Sequence, residues 1–199
     1  MKGIQRLRRS LLALAACCGL ALGMPAKASS EAGAFEGLPW GATVEQIRTV
    51  FGDKLKIKVC SEQEQQKRDA RPNARACGGP YVEDYTIDGI TFVAFFNMER
   101  ASGALSAVYL DRVATVTNQQ IKAGESARSR YDRVKTVMAT RYGEPLEVKE
   151  PNPSSVRAPN ILHVKWQADG TIISVTDTIL PDPRGQMYYL GIVYKPASE

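Results

Sequence analysis

The sequence predicts an α+β protein: two tandem helix–strand–hairpin–strand units whose strands form an antiparallel sheet with the helices on one face. Three observations carry that expectation. Two eight-residue segments align without a gap, Phe51-Gly52-Asp53-Lys54-Leu55-Lys56-Ile57-Lys58 with Tyr142-Gly143-Glu144-Pro145-Leu146-Glu147-Val148-Lys149. Each follows a stretch with apolar residues at helical spacing. Each is then followed by an Asp-Gly pair between apolar runs, Asp88-Gly89 and Asp169-Gly170, a strong short-range hairpin signal.

The chain opens on an export signal. Met1 to Arg9 carries Lys2, Arg6, Arg8 and Arg9, Leu11 to Met24 is apolar and uncharged, and Ala26-Lys27-Ala28 gives a small-x-small cleavage pattern before Ser29. The apolar stretch is about 14 residues, short of the roughly 20 a membrane-spanning helix needs. Residues 1–28 are therefore a signal peptide, cut between Ala28 and Ser29, and 29–34 a flexible N-terminus. Leu14-Ala15-Ala16-Cys17 also fits a lipobox, so lipid anchoring through Cys17 stays open beside soluble export. The first unit spans 35–120 and the second 121–199.

Thr43 and Gln46 form a capping-box pattern at the start of the first helix. Val44, Ile47, Val50 and Phe51 make its stripe, and Gly52 ends it. The second helix carries Tyr131, Val134, Val137, Met138 and Tyr142 on one stripe, with Gly143 and Pro145 as the stop. The second hairpin joins Leu162–Trp166 to Thr171–Val175, and the units end in strands at Ala104–Leu110 and Met187–Tyr194. In the first unit, ten extra residues between helix end and hairpin turn fall where Cys60 and Cys77 lie. A disulfide there would staple a polar insertion carrying Lys67, Arg68, Arg71 and Arg75.

Charge changes meaning once the leader is removed. The formal charge is +5, but five basic residues and no acids lie in the first 28 positions, leaving 21 basic against 21 acidic side chains. A neutral mature chain gives no support to nucleic-acid binding. The isolated Cys60–Cys77 pair is too widely spaced for a C-x-x-C redox or zinc motif, and no histidine lies nearby.

Phe35-Glu36-Gly37-Leu38-Pro39-Trp40-Gly41-Ala42-Thr43 resembles the start of a group of uncharacterised exported bacterial proteins. These share the Leu-Pro-Trp-Gly-x-Thr helix opening and a second helix ending in Tyr-Gly-x-Pro, present here as Tyr142-Gly143-Glu144-Pro145. That resemblance implies export and no particular activity. The repeated plan is similar in architecture to β-lactamase-inhibitory proteins and to a small outer-membrane assembly lipoprotein, both binding modules, and no binding residues carry over.

Catalytic constellations are scarce. His163 is the sole histidine, and neither a Gly-x-Ser-x-Gly elbow nor a Ser-x-x-Lys dyad occurs. Glu83-Asp84 is the most evident carboxylate pair, yet neighbours on a strand face opposite ways. Trp40 and Trp166 fit core anchors. In Tyr188–Tyr194 the alternation sets Tyr189 and Val193 against Tyr188, Leu190, Ile192 and Tyr194, so the strand is either covered on both faces, the favoured reading, or part of a binding patch. The expectation is a non-catalytic periplasmic or secreted binding module for an envelope or secreted protein. It needs no cofactor, metal or nucleic acid and has no transmembrane helix in the mature chain. Arg68, Arg71, Arg75 and Tyr189 are its candidate binding surface. The alternatives are a cell-envelope hydrolase using carboxylates and a lipid-anchored assembly factor.

Overall fold

Caps and turns set the frame. The computed structural model describes residues 35–70, 77–149 and 160–197. The leader, the cleavage site at Ala28 and Ser29, Cys17, residues 29–34, Arg71 and Arg75 lie outside them. Helix α1 (Val44–Phe51) starts at Thr43, whose hydroxyl accepts from the Gln46 amide while the Gln46 side chain accepts from the Thr43 amide. The reciprocal pair satisfies two amides that a helix start leaves open. Ile47 is buried and Phe51 packs on the core, whereas Val50 is 46% exposed. In so short a helix, the i and i+4 positions Ile47 and Phe51 are the ones aimed at the sheet.

A tight turn at Gly52–Lys54 leads to β1 (Lys56–Lys58) and then α2 (Glu62–Asp69). The hairpin β2 (Gly79–Ile87) and β3 (Ile90–Met98) follows, then β4 (Leu105–Thr117), α3 (Asn118–Lys122) and α4 (Ala127–Tyr142). The chain closes with β5 (Glu147–Lys149), β6 (Asn160–Ala168), β7 (Thr171–Asp182) and β8 (Gly185–Pro196). Among the described residues, the eight strands form one antiparallel sheet in the order β1-β2-β3-β4-β8-β7-β6-β5. Both Asp-Gly turns form as expected, with φ of 49° and 72° at Asp88-Gly89 and 47° and 72° at Asp169-Gly170. Positive φ at both turn residues matches the twist of the flanking strands.

One face of the sheet is covered. α4 buries Ala127, Tyr131, Val134 and Met138 against it, and Gly143 stops the helix at φ 80°. Full burial of side chains such as Tyr131, Val134 and Met138 stabilises by about 1.5–3 kcal/mol each. Beneath α1, Phe35 meets Phe96 at 6.1 Å and Tyr194 at 5.0 Å between ring centroids, so one core runs under both helices. The tryptophans clamp loops to this layer. Trp166, fully buried, donates to the Gly143 carbonyl at 3.0 Å, and Trp40 donates to the Thr171 hydroxyl at 3.1 Å.

Two strands are longer than the alternation predicts: β4 runs on from Leu110 to Thr117, and β7 from Val175 to Asp182. The cause is chemical. Arg112 and Asp177 occupy inward positions where an apolar residue would continue the pattern; both pair with Leu190, one from each side of β8. Arg112 is accommodated by donating to the Tyr188 hydroxyl at 2.8 Å and the Thr91 carbonyl at 2.7 Å. β8 can start at Gly185 because any Cβ there would overlap the Val116 carbonyl. The helix α2 was also not anticipated, since its eight residues, EQEQQKRD, contain nothing apolar.

Candidate functional site

The face away from α1 and α4 carries the residues that core packing does not use. Cross-strand partners in an antiparallel sheet share a face, so the register assigns each side chain. One row runs through Tyr81, Phe95, Tyr109 and Val193. The Tyr81 and Phe95 rings stack at 6.0 Å. A second row, two residues along, is mainly polar: Val93, Asp111, Gly191, Thr176 and His163. A third is mainly apolar, with Val113, Tyr189, Thr178 and Ile161, and Met187 and Leu180 extend it.

Exposure distinguishes this third row from core. Val113 is 66%, Ile161 44%, Leu180 37% and Tyr189 37% exposed. The Tyr189 hydroxyl donates to Asp111 Oδ1 at 2.7 Å, which fixes the ring. Gly191 makes room for it: a Cβ there would stand 2.7–2.9 Å from the Tyr189 ring and hydroxyl. The expected division of Tyr188–Tyr194 holds, with Tyr188, Leu190, Ile192 and Tyr194 buried on the covered side.

At the other end of the open face lies the disulfide. Cys60 and Cys77 are joined, as their isolation in the sequence led us to expect. In the chain-entropy view, closing a loop of this length stabilises by about 3 kcal/mol. α2 sits within that loop, opened by a capping box between Ser61 and Glu64. Near its end, Arg68 reaches a cleft of about 80 Å³ lined also by Lys58, Cys77, Gly78, Phe95, Asn97 and Tyr109. Phe95 and Tyr109 belong to the first row, so α2 contributes to the face that α1 and α4 leave open. Gly78 (φ 95°) lets the β1 chain pass close, because a Cβ there would lie 2.6 Å from the Lys58 carbonyl.

Of the sequence-selected residues, Arg68 lines the cleft and Tyr189 belongs to the apolar row. They occupy one face and different ends of it. Alternation alone did not single out Val113, Ile161 or Leu180, because the strand extensions that carry Val113 and Leu180 were not anticipated. Lys58 and Tyr109 gave no signal of their own either.

The chain matches no protein family, no curated protein and no solved structure. Function must be argued from the face itself.

Other reactive groups are engaged structurally. Glu83 pairs with Lys56, and Asp84 with Lys54 at 3.3 Å. The two acids fall where the β2–β3 register shifts between Val82 and Tyr85. His163 is half-buried, with Nδ1 3.2 Å from the Thr176 hydroxyl. Burial lowers its pKa, outweighing the nearby Glu147 carboxylate. Cys60, Glu64 and Cys77 place donor atoms within 4.8 Å of one another. With both sulfurs in the disulfide there is no thiolate to bind a cation, and Glu64 accepts from the Ser61 amide at 3.0 Å. Among the described residues, no helix is long and apolar enough to cross a membrane.

Asp177 stands apart. It is fully buried on β7 beneath α4, and among the described residues neither carboxylate oxygen has a hydrogen-bond partner. Burial outweighs the attraction of Arg128, Asp132 adds to the rise, and the pKa is pushed up to about 6.

Proposed function

We propose that this chain is an exported, non-catalytic binding module that engages a periplasmic or secreted protein through the open face of its sheet. The observation that carries the proposal is the clustering of Val113, Ile161, Leu180 and Tyr189, exposed together on one side of β4, β8, β7 and β6. Scattered exposed apolar side chains are ordinary, but a contiguous group rimmed by polar residues marks an interaction surface. Tyr189, held by Asp111, offers a large contact area at little entropic cost on binding.

The two halves are best understood as tandem units. The repeated Phe51 and Tyr142 segments and the mirrored strand order support this, with α1 ahead of β1–β4 and α4 ahead of β5–β8. Joining such units through β4 and β8 gives one face broad enough for a protein partner. The leader and the Cys60–Cys77 disulfide favour an oxidising compartment outside the cytoplasm.

Immobilised wild-type chain, V113D and I161D exposed to the same envelope extract test the proposal. The wild type should retain a discrete protein that both variants release, while their stability falls by about 1 kcal/mol or less. A protein held equally by all three, or none held by the wild type, overturns it. So does turnover of envelope glycans that is lost in E83Q or D84N.

A further inference from the structure

We propose that the cleft beside the disulfide is a carboxylate-binding subsite for the protein partner, a specificity that rests on the binding function proposed above. Two cations from different elements converge there, Lys58 from β1 and Arg68 from α2. Among the described residues neither is in a direct ion pair, whereas their neighbours Lys54 and Lys56 each hold a carboxylate; Lys58 attracts the Glu64 carboxylate of α2 only at longer range. The cleft lining contains no acidic side chain among the described residues. Two like charges facing one cavity repel, and an anion between them reverses the sign of the interaction.

The cleft, about 80 Å³, has room for a carboxylate and the atoms attached to it. A guanidinium presents parallel donors that match the two oxygens of a carboxylate, and the ammonium supplies a point charge. The wall is aromatic: Phe95 and Tyr109 line the cleft, and Phe95 stacks on Tyr81. The group bearing the carboxylate therefore meets an apolar surface. The position of the floor is set covalently, since Cys77 and Gly78 line the cleft and Cys77 is tied to Cys60. A protein can present such a carboxylate at its chain terminus or on an Asp or Glu side chain; the recognising chemistry is shared.

Amide-resolved NMR titration of the disulfide-bonded chain tests the assignment with three probes. They are N-acetyl-Leu-Phe as the free acid, the same dipeptide as its C-terminal amide, and N-acetyl-Glu-Phe-amide, with inorganic phosphate titrated as a control. One or both carboxylate probes should shift the amides of Lys58, Cys77, Gly78 and Asn97. Which one does so identifies the source as terminus or side chain. R68Q and K58Q, both outside the core, should each weaken that probe by about tenfold. No shift at these amides with either acid overturns the subsite. So does equal binding of the neutral amide, equal or tighter binding of inorganic phosphate, or indifference to R68Q and K58Q. If the subsite fails while the neutral dipeptide shifts Val113 and Ile161, the binding function stands without it; if neither region responds and V113D still retains the partner, both fall.

Discussion

Replacing Asp177 by Asn should stabilise the protein at neutral pH and not in acid. The wild-type carboxyl is fully buried and lacks hydrogen-bond partners among the described residues, and burial pushes its pKa up to about 6. An unfolded aspartate titrates near 3.9. The folded state therefore holds its proton more tightly than the unfolded state. Below about pH 4 both states are protonated and no charge is buried. As pH rises through 6, the unfolded chain has already released its proton, and the folded chain must bury an ion or keep the proton at increasing cost. The difference of about two pKa units corresponds to about 3 kcal/mol of stability lost between pH 4 and pH 7. The attraction of Arg128 is already contained in that value, as is the repulsion of Asp132. Asn cannot ionise, so D177N avoids this loss. Urea unfolding of both proteins from pH 4 to pH 8, with m held constant, measures the difference at each pH. It should grow with pH by about 3 kcal/mol and level off above pH 7. A difference independent of pH, or one that favours the wild type more as pH rises, would refute the assignment of a buried, unpaired carboxylate under α4.

Further consequences follow from the same geometry. C60S/C77S should lower stability by about 3 kcal/mol in the chain-entropy view, and the wild type under strong reductant should show the same fall in urea midpoint. W166F removes both volume and the donor that satisfies the Gly143 carbonyl, so it should cost about 2–4 kcal/mol by urea unfolding. T43A removes the hydroxyl that accepts from the Gln46 amide and should cost about 1 kcal/mol, read by thermal unfolding.

How far the sequence reveals the fold depends on how faithfully polarity follows position. The helix caps at Thr43 and Gly143, the two Asp-Gly turns, the tryptophan anchors and the disulfide were legible because each rests on local chemistry. The extensions of β4 and β7 were not, because Arg112 and Asp177 interrupt the apolar alternation at inward positions. Arg112 does so with its hydrogen bonds made to Tyr188 and Thr91, while Asp177 has none for its carboxylate among the described residues. α2 and α3 lack apolar stripes; their capping boxes, Ser61 with Glu64 and Thr117 with Gln120, were the only local sign of them. The binding surface was legible only in part. Tyr189 stood out from the alternation of its strand and Arg68 from the charge of its insertion. Val113, Ile161 and Lys58 gain their meaning from register, which joins strands far apart in the chain.

The claim that the open face docks a protein is tested most directly by site-specific photocrosslinking in living cells. A photoreactive phenylalanine at Val113 and one at Lys135, half-buried on α4, probe opposite faces of the sheet. Docking on the open face predicts a discrete higher-mass adduct from position 113 and none from position 135. Adducts from position 135 alone, or from neither position, would contradict it.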